Sequence, residues 1–391
     1  MTQKWSKIRL GDICQTNQST YSLSEKWDYV NYLDTGNLTQ DQVTEYQHIV
    51  LGVDKLPSRA RRKVKPNDIL YSTVRPNQLH YGIVKNLLPN TLVSTGFAVI
   101  SVDEEKANSD FVYYYLTQND VTETLQAIGE QSTSAYPSIK PSDIEKLELN
   151  LPILDEQEGI AKTLRSLDEK IEINRQINHH LAELIDAQFA HLLEDNELYK
   201  STFSEIGEIV GGGTPSKKVD DYWNGDIPWL SPKDLSLNPA MFTGRGQNSI
   251  TELGYKKSSA KLMPRNSILF SSRAPIGYIT IAENDISTNQ GFKSIIPKPE
   301  YPYTFVYELL KQETPSLKSS ASGSTFKEVS GTHLKNHEIR IPPHSAIIKF
   351  HESVEPLFKT INLNEKEIQK LIEVRDLLLP TLMSGEISVS D

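Results

Sequence analysis

The chain has 391 residues, of which 37% are apolar and 24% are charged, and its formal net charge is −10. At about 150 residues per domain, this length predicts two or three domains. The mean hydropathy of −0.44 and the lack of any run near ~18 apolar residues exclude a transmembrane helix.

The N-terminal segment and the cysteine content indicate the cellular compartment. Residues 1–13 contain no apolar stretch of the kind that a secretory signal needs. Cys14 is the single cysteine, which excludes an intramolecular disulfide and a multi-cysteine zinc site. We therefore expect a cytoplasmic protein.

Six short motifs of the first half return in the same order in the second half, about 190 to 199 residues later. Such collinear repetition predicts a tandem duplication of half the chain. The paired segments are 10–13 and 206–209, 30–33 and 227–230, 66–73 and 264–272, 94–97 and 287–292, 111–113 and 305–307, and 149–152 and 339–342.

Each half begins with short apolar runs bounded by Pro, Gly and Asn, a pattern typical of strands. The predicted strands include 69–71, 97–100 and 276–281, and the predicted short helices are 111–125 and 303–311. Each of these blocks is therefore predicted to mix strands and helices.

Each half ends in a predicted long helix with a heptad pattern. Ten positions from Ile160 to Leu192 step by four and three residues, and seven of them are apolar. Eight of the ten positions 190 residues later are apolar as well. Ordinary core helices would also show apolar stripes, but heptads of this length favour two paired helices, which a pseudo-twofold relation would make antiparallel.

The heptad seam contains polar and proline exceptions. Asn174 and Asn364 occupy equivalent seam positions, where a buried polar residue fixes register and orientation. Pro356 is expected to kink or restart the second helix, and Pro380 to end it nearby. The seam residues predicted to pair the helices and bind a partner are Ile160, Leu164, Leu167, Ile171, Asn174, Leu181, Ile185, Leu357, Ile361, Asn364, Ile368, Leu371 and Leu378.

These patterns predict an α+β fold with two tandem pseudo-symmetric α/β domains separated by two long antiparallel coiled-coil helices. The expected boundaries are residues 1–152 for the first domain, 153–197 for the central helix, 198–342 for the second domain, and 343–391 for the C-terminal helix and tail.

Negative charge is concentrated in the helices. Residues 155–197 contain eleven acids and four bases, and residues 345–391 contain eight acids and five bases. The remaining residues are net neutral, and within them bases cluster in segments 53–85 and 253–282. Because acidic surfaces repel phosphates, the helices are better candidates for a protein partner and the basic segments for DNA.

Lys and Arg neutralise phosphates, and Arg can also bind guanine through two hydrogen bonds. Isolated basic loops are often merely solvated, but here two basic stretches lie at corresponding places of the two halves. The matched loops 132–136 and 322–326 could donate to phosphates or could be simple turns. The DNA-binding candidates are Arg59, Arg61, Arg62, Lys63, Tyr71, Arg75, Lys217, Lys218, Lys256, Lys257, Arg273, Ser324 and Thr325.

The sequence contains no motif that defines a catalyst. It lacks a phosphate-binding P-loop and the Asn/Asp-Pro-Pro-Tyr turn of amino-methyltransferases, and His333 and His337 have no further ligand that would complete a zinc set. We therefore expect no catalytic residue and no metal site in this chain.

The chain resembles the specificity subunit of type I restriction-modification systems over essentially its whole length. The residues that carry the resemblance are 149–158, 167–177 and 371–387, together with 211–217 and 227–234, which are similar to the start of a target recognition domain of that family.

This resemblance implies two target recognition domains that each read one half of a split, asymmetric DNA sequence. It implies that the helical repeats space these domains and dock two methyltransferase subunits, which carry S-adenosylmethionine and methylate adenine at N6. Restriction subunits, which use ATP and Mg²⁺, would join the same complex. The chain itself would hold no cofactor and would not be catalytic.

Three other interpretations remain open at this point. The chain could be a fragment of a fused methyltransferase-nuclease, a coiled-coil adaptor with protein-binding domains and no DNA role, or a stand-alone specificity subunit. Binding of S-adenosylmethionine by the purified chain would favour the first, and loss of both basic stretches without effect on DNA binding would favour the second.

Overall fold

The computed structural model describes residues 5–22, 24–132, 136–322 and 327–388. The chain divides into two compact units, which are described separately. Unit 1 consists of Met1–Lys170 and Leu371–Asp391, and unit 2 consists of Ile171–Lys370.

Both halves of the chain begin with strands, continue with shorter helices and one further strand, and end in a long helix, but they differ in the short elements between the strands. The first half contains β1 (Ser6–Arg9), β2 (Cys14–Thr16), β3 (Tyr29–Leu33), β4 (Leu38–Thr39), β5 (Gln42–Val43), β6 (Gln47–Val50), β7 (Ala60–Lys63), β8 (Ile69–Ser72), β9 (Tyr81–Ile83), β10 (Thr91–Ser94), β11 (Phe97–Val102), α1 (Ser109–Leu116), α2 (Asn119–Glu130), α3 (Pro141–Glu145), β12 (Glu148–Leu151) and α4 (Leu154–Glu194).

The second half contains β13 (Tyr199–Thr202), α5 (Phe203–Ile206), β14 (Gly207–Gly211), β15 (Trp223–Leu230), α6 (Pro232–Leu237), β16 (Phe242–Thr243), β17 (Asn248–Ile250), α7 (Glu252–Lys256), β18 (Leu262–Met263), β19 (Ile268–Ser272), β20 (Ile276–Ala282), β21 (Ile286–Thr288), β22 (Lys293–Pro297), α8 (Tyr303–Ser320), α9 (Gly331–Asn336), β23 (Glu338–Ile341) and α10 (His344–Met383).

The sheet topology of unit 1 is repeated in unit 2. One sheet has the order β6-β3-β10-β7 in unit 1 and β17-β15-β21-β18 in unit 2. Each contains one parallel pair, β3 with β10 and β15 with β21. A second sheet has the order β2-β11-β8-β9 in unit 1 and β14-β22-β19-β20-β16 in unit 2. The predicted tandem duplication is therefore present at the level of strand order.

Burial explains why some strands are continuous apolar runs. All six residues of β11 are buried, because β2 and β8 flank it in the sheet and both of its faces are covered. The first turn of α1 is held by Asn108, whose side chain accepts a hydrogen bond from the Phe111 amide at 3.0 Å. Such a cap favours helix initiation at this position.

Each unit has its own main core. In unit 1, Phe111 and Tyr114 pack with Ile160 and Leu164 of α4 and with Leu382 of α10. In unit 2 the main core contains apolar residues from α4, α8 and α10, including Ile185, Phe189, Phe305, Phe350 and Phe358. Burial of each such side chain contributes about 1.5–3 kcal/mol relative to exposure.

The long helices pair antiparallel inside each unit. In unit 2, Asn174 lies 2.7 Å from Glu367, Asn178 lies 2.8 Å from Asn364, and Gln188 lies 2.7 Å from Ser353, so partner numbers fall as α4 residue numbers rise. In unit 1, Asp168 of α4 lies 2.8 Å from Arg375 of α10. The predicted antiparallel helix pairing is confirmed.

The seam residues divide into two groups by burial. Ile160, Leu164, Ile171, Asn174, Ile185 and Ile361 are buried, whereas Leu167, Leu181, Leu357, Asn364, Ile368, Leu371 and Leu378 are half-buried. Burial of the first group fits the predicted helix seam: Ile160 and Leu164 lie in the core of unit 1, and Ile185 and Ile361 lie in the core of unit 2. Binding of a partner by seam residues stays a prediction.

The predicted effects of the prolines were wrong in part. Helix α10 continues through Pro356 and ends at Met383, three residues beyond Pro380. A proline removes one backbone donor, but Val354 and Phe358 on either side of Pro356 are fully buried in the core of unit 2. Their burial offsets the lost hydrogen bond, so the helix does not restart.

Two of the shorter helices also differ from their predicted bounds. The expected helix 111–125 is two helices, α1 and α2, separated at Thr117 and Gln118. Helix α8 extends to Ser320 and includes Pro315, because Thr314 and Leu317 pack on its buried side. None of the helices in the described part of the chain is long and apolar enough to cross a membrane.

Candidate nucleic-acid interface

Strand β7, which carries the basic run of unit 1, is an edge strand of its sheet. It pairs with β10, and on its other side the Tyr21 amide donates to the Arg61 carbonyl at 2.7 Å. The register of this pairing shifts between Val93 and Ser94, so the usual alternation of side chains is interrupted between Ala60 and Arg62. Arg62 is half-buried, and burial lowers the pKa of its guanidinium.

The cations of this run differ in their partners. Lys63 forms an ion pair with Glu25 and lies 5.4 Å from the centre of the Trp27 ring. Arg59 is exposed and Arg61 is half-buried. Neither forms an ion pair with an acidic side chain in the described ranges. Arg61 is therefore open to phosphates, Arg59 interacts with the charge of nearby Asp34, and Lys63 must first leave Glu25.

Arg75 lies in the loop that follows β8. Its guanidinium carbon lies 4.2 Å from the centre of the Tyr136 ring, and its amide donates to the Pro137 carbonyl at 2.9 Å. Tyr136 is 56% exposed. A cation and an exposed aromatic ring are thus held side by side at the surface of unit 1.

Tyr71 does not belong to this surface. The side chain is 1% exposed, and its ring stacks on Tyr81 with the centres 5.7 Å apart. Burial raises the pKa of its hydroxyl to about 12. The predicted DNA contact of Tyr71 is wrong because all four residues of β8 are buried, so neither face of this strand is open.

One turn positions both basic segments of unit 1. The Thr95 amide donates to the Arg59 carbonyl at 2.9 Å, and the Thr73 amide donates to the Gly96 carbonyl at 2.8 Å. The β10–β11 turn thereby ties the start of the β7 run to the loop that carries Arg75. We call residues 95–96 the junction turn of unit 1.

Unit 2 has an equivalent junction turn at residues 289–291. The Ser272 amide donates to the Gly291 carbonyl at 2.7 Å, and the Gly213 amide donates to the neighbouring Thr288 carbonyl at 2.8 Å. These bonds bring the Arg273 loop and the loop with Lys217 to the same turn. A Cβ on Gly213 would lie 2.4 Å from the Ser259 backbone, so the segment after α7 is close as well.

The candidate cations of unit 2 also differ in their partners. Lys217, Lys218 and Lys257 are exposed and have no acidic partner among the residues that the structure describes. Lys256 lies 3.1 Å from Glu252, and Arg273 lies 3.7 Å from Glu328. Ser324 and Thr325 lie outside the described residues.

The geometry of both units therefore shows cationic loops gathered around a turn on a duplicated α/β scaffold. Residues 2–183 and residues 196–373 each match the type I restriction modification DNA specificity domain. The chain belongs to this family. The resemblance to type I specificity subunits that the sequence motifs indicated is confirmed.

Similar proteins support the same conclusion. The type I restriction enzyme HindI specificity subunit of Haemophilus influenzae is 27% identical, and the alignment covers 98% of this chain and 99% of that one. The MjaIX specificity subunit of Methanocaldococcus jannaschii is 43% identical over 43% of this chain and 39% of its own. A solved type I system S subunit from M. genitalium shares the fold, with a TM-score of 0.62 at 17% identity over 97% of this chain and 96% of that one.

Sequence reasoning placed Tyr136 in a candidate phosphate-binding loop, but it missed the contact of Tyr136 with Arg75 and both junction turns. The segments 94–97 and 287–292 were recognised only as repeats, although a repeated turn next to repeated basic loops is also a signal for a shared site. Tyr136 lies 61 positions after Arg75 in the chain, and no local pattern reports such a contact. Within the described residues, no group of three His, Cys, Asp or Glu side chains could hold a metal ion.

Exposed apolar side chains form a second candidate surface. Ile173, Ile177 and Leu184 are 50%, 41% and 47% exposed on α4 in unit 2. Their spacing of four and seven residues places them on one helical face. Leu363 on α10, which is the equivalent of Ile173 at an offset of 190 residues, is also exposed. We call Ile173, Ile177 and Leu184 the α4 apolar stripe.

Proposed function

We propose that this chain is the DNA-recognition subunit of a type I restriction-modification complex and that its two repeated domains each read one half of a bipartite, asymmetric target. The observation that carries the proposal is the repeated strand order, in which equivalent junction turns support basic loops of different sequence. A common scaffold with different loops suits two different half-sites.

The contacts of the basic loops support binding to DNA. Arg61 of unit 1 and Lys217, Lys218 and Lys257 of unit 2 have side chains at the surface and form no ion pair with an acidic side chain in the described ranges. Arg59 is exposed as well, and the Asp34 carboxylate lies close enough to interact with its charge. Phosphate contacts of this kind supply much of the affinity of a protein for DNA and make it dependent on salt. We assign these cations to phosphate binding and place base recognition in the loops beside the junction turns.

The long helices are proposed to dock two adenine-N6 methyltransferase subunits and, through them, restriction subunits. Exposed apolar side chains are typical of protein interfaces. Ile173 and Leu363 are exposed at equivalent positions of the two helices, which provides a related contact for each of two copies of a partner. The acidic surroundings of both helices favour a protein over DNA at these faces.

The chain is proposed to be non-catalytic, with S-adenosylmethionine, ATP and Mg²⁺ held by the partner subunits. This assignment follows from the family and from the lack of a catalytic motif in the sequence. The adaptor interpretation without a DNA role is not favoured, because the chain belongs to a DNA specificity family.

Selection of bound duplexes from a random-sequence pool tests this function. The full chain is mixed with the modification subunits of its system, bound DNA is recovered and sequenced, and the chain alone is run in parallel. The expected result is a split motif with a fixed unread gap. The variants K217A and K257A, both in unit 2, should weaken binding to this motif. The proposed function is refuted if the complex, assembled with well-folded partners, selects no motif.

A further inference from the structure

The backbone of Arg75 is held in a conformation that non-glycine residues rarely adopt. Its φ is +49° and its ψ is 68°, which is the left-handed region. The Arg75 amide donates to the Pro137 carbonyl, and its carbonyl accepts from the Gln78 amide, both at 2.9 Å. Residues fixed in such sparsely populated regions cluster at ligand-binding sites.

The side chain of Arg75 is fixed by a second, independent contact. The guanidinium carbon lies over the Tyr136 ring, 4.2 Å from its centre, which is a favourable cation–π distance. A guanidinium carries five N–H donors, and the carbon atoms of a ring offer them no oxygen or nitrogen acceptor. No carbonyl or carboxylate in the described ranges accepts a hydrogen bond from these donors. The N–H donors of Arg75 are therefore both oriented and available.

The loop of unit 2 that is equivalent to the Arg75 loop carries a different side chain. The Thr73 amide and hydroxyl donate to the Gly96 carbonyl, and the Ser272 amide and hydroxyl donate to the Gly291 carbonyl in the same way. This equivalence aligns Arg75 with Ala274, whose φ of +48° is nearly the same. The two units keep one loop conformation but place different side chains on it.

In unit 2, the cation next to Ala274 is Arg273, and an acidic side chain already lies beside it. Arg273 and Lys293 both lie beside Glu328, at 3.7 Å and 3.4 Å. Arg273 forms a β-bridge with Glu328, and the equivalent bridge of unit 1 joins Val74 to Ser138. Ser138 carries no charge. Unit 1 alone thus combines this loop conformation with an arginine that has no carboxylate partner in the described part of the chain.

We propose that Arg75 is a specificity-determining residue that donates two hydrogen bonds to O6 and N7 of a guanine in the half-site bound by unit 1, with Tyr136 as the positioning residue that fixes its guanidinium plane. The proposal rests on the DNA-recognition function proposed above. It adds the residue, the base and the half-site.

O6 and N7 of guanine match the paired N–H donors of a planar guanidinium. Phosphate oxygens can also accept such paired bonds, so the measurements with replaced guanines described below separate the two ligands. Ordering a long side chain on binding costs conformational entropy, and the Tyr136 stack lowers that cost because it orders Arg75 beforehand.

Four variants of the full chain, assembled with its modification subunits, test the proposal: R75K, Y136F, Y136L and R273K. Bound duplexes are selected from a random pool, and affinities are then measured for the selected duplex and for versions with one guanine replaced. Melting of each variant chain reports whether it folds like the wild type, and R75K keeps the charge while it removes the paired donors.

We expect R75K to lose the preference for guanine over other bases at one position of one half-site. R75K should reduce discrimination at that position by about 5- to 150-fold, which corresponds to one bidentate contact, while the salt dependence of binding stays the same. Y136F keeps the ring and should keep the preference, Y136L should weaken it, and R273K should leave this half-site unchanged.

Other results overturn the proposal in distinguishable ways. If wild type selects a split motif and R75K selects the same motif with equal guanine preference, the assignment of Arg75 is wrong. The same holds if the motif contains no guanine, or if R75K lowers affinity equally for all duplexes, which would make Arg75 a phosphate contact. If the wild-type complex selects no motif, the proposed function fails together with this inference.

Discussion

The Asp168 carboxylate on α4 lies 2.8 Å from the Arg375 guanidinium on α10, within unit 1. The same carboxylate accepts a hydrogen bond from the Tyr114 hydroxyl at 2.6 Å. Burial alone would lower the pKa of Arg375, but the charge and hydrogen bond of Asp168 raise it overall. One acidic side chain therefore joins both long helices to α1.

Replacement of this carboxylate should destabilise unit 1. D168A leaves the partly buried Arg375 without its acceptor from α4 and removes the acceptor of Tyr114. Because hydrogen bonds to charged groups contribute about 1.5–3 kcal/mol, the free energy of unfolding should fall by about that amount in urea titrations. Glu158 is exposed on the same helix, and E158A should change the free energy of unfolding by less than about 0.5 kcal/mol. Equal losses in the two variants would contradict this role.

Glu308 should make unit 2 less stable as pH rises. Its side chain is 2% exposed, and burial raises its pKa to about 8, although nearby Lys311 lowers it. The folded chain therefore keeps a proton that the unfolded chain releases above its usual pKa near 4.5. The stability linked to this group is present at low pH and is lost between about pH 4.5 and 8.

The variant E308Q tests this pH dependence because its amide does not titrate. Urea unfolding at pH 5, 6.5 and 8 should show a smaller loss of stability with rising pH in E308Q than in the wild type. The matched variant E300Q changes an exposed glutamate three residues before α8, and it should keep the wild-type pH profile. A profile of E308Q that is parallel to the wild type would be inconsistent with burial of an ionisable proton at Glu308.

The partners of the β7 cations predict different salt effects on DNA binding. R61A should lower the slope of log affinity against log salt by about 0.9, because one phosphate contact is lost. K63A should change the slope much less, because the Lys63 ammonium already binds Glu25 and lies beside Trp27. Binding is measured for the assembled complex from 50 to 200 mM salt, and the opposite order of the two effects would reverse the assignment.

The α4 apolar stripe predicts where assembly is sensitive to charge. I177K places a cation at a half-exposed position of the stripe and should weaken capture of the modification subunit by at least tenfold, because burying an unpaired charge in an interface is costly. The melting temperature of the chain alone should stay near that of the wild type. L237K, at an exposed apolar position of unit 2 outside the stripe, should assemble normally. Normal assembly of I177K would remove the stripe as a docking surface.

The sequence pattern predicted the fold well because it is periodic and repeated. Ile171 and Asn174 fall at predicted seam positions and are buried, since a heptad reports directly which side of a helix is covered. Strand existence followed from apolar runs bounded by turn residues. Pro356 was misjudged because local propensity opposes a helix there, while the core contacts of Val354 and Phe358, which override it, are not local.

The candidate site was harder to predict than the fold. Tyr71 follows an apolar run and precedes Arg75, and its position does not reveal that both faces of β8 are covered. The ion pair of Lys63 with Glu25 and the stack of Arg75 on Tyr136 join residues 38 and 61 positions apart. Composition identifies where bases cluster, but tertiary contacts decide which of them remain available.

The discontinuous make-up of unit 1 has a consequence for the order in which the chain folds. Unit 2 is one uninterrupted segment, Ile171–Lys370, so all of its residues are available once that segment has left the ribosome. Unit 1 needs Leu382 and Met383 in the same core as Leu10 and Phe111, and these two residues are synthesised after the whole of unit 2. The core of unit 1 is therefore completed after that of unit 2, although most of its residues are translated first, and until then it lacks the apolar side chains that α10 contributes.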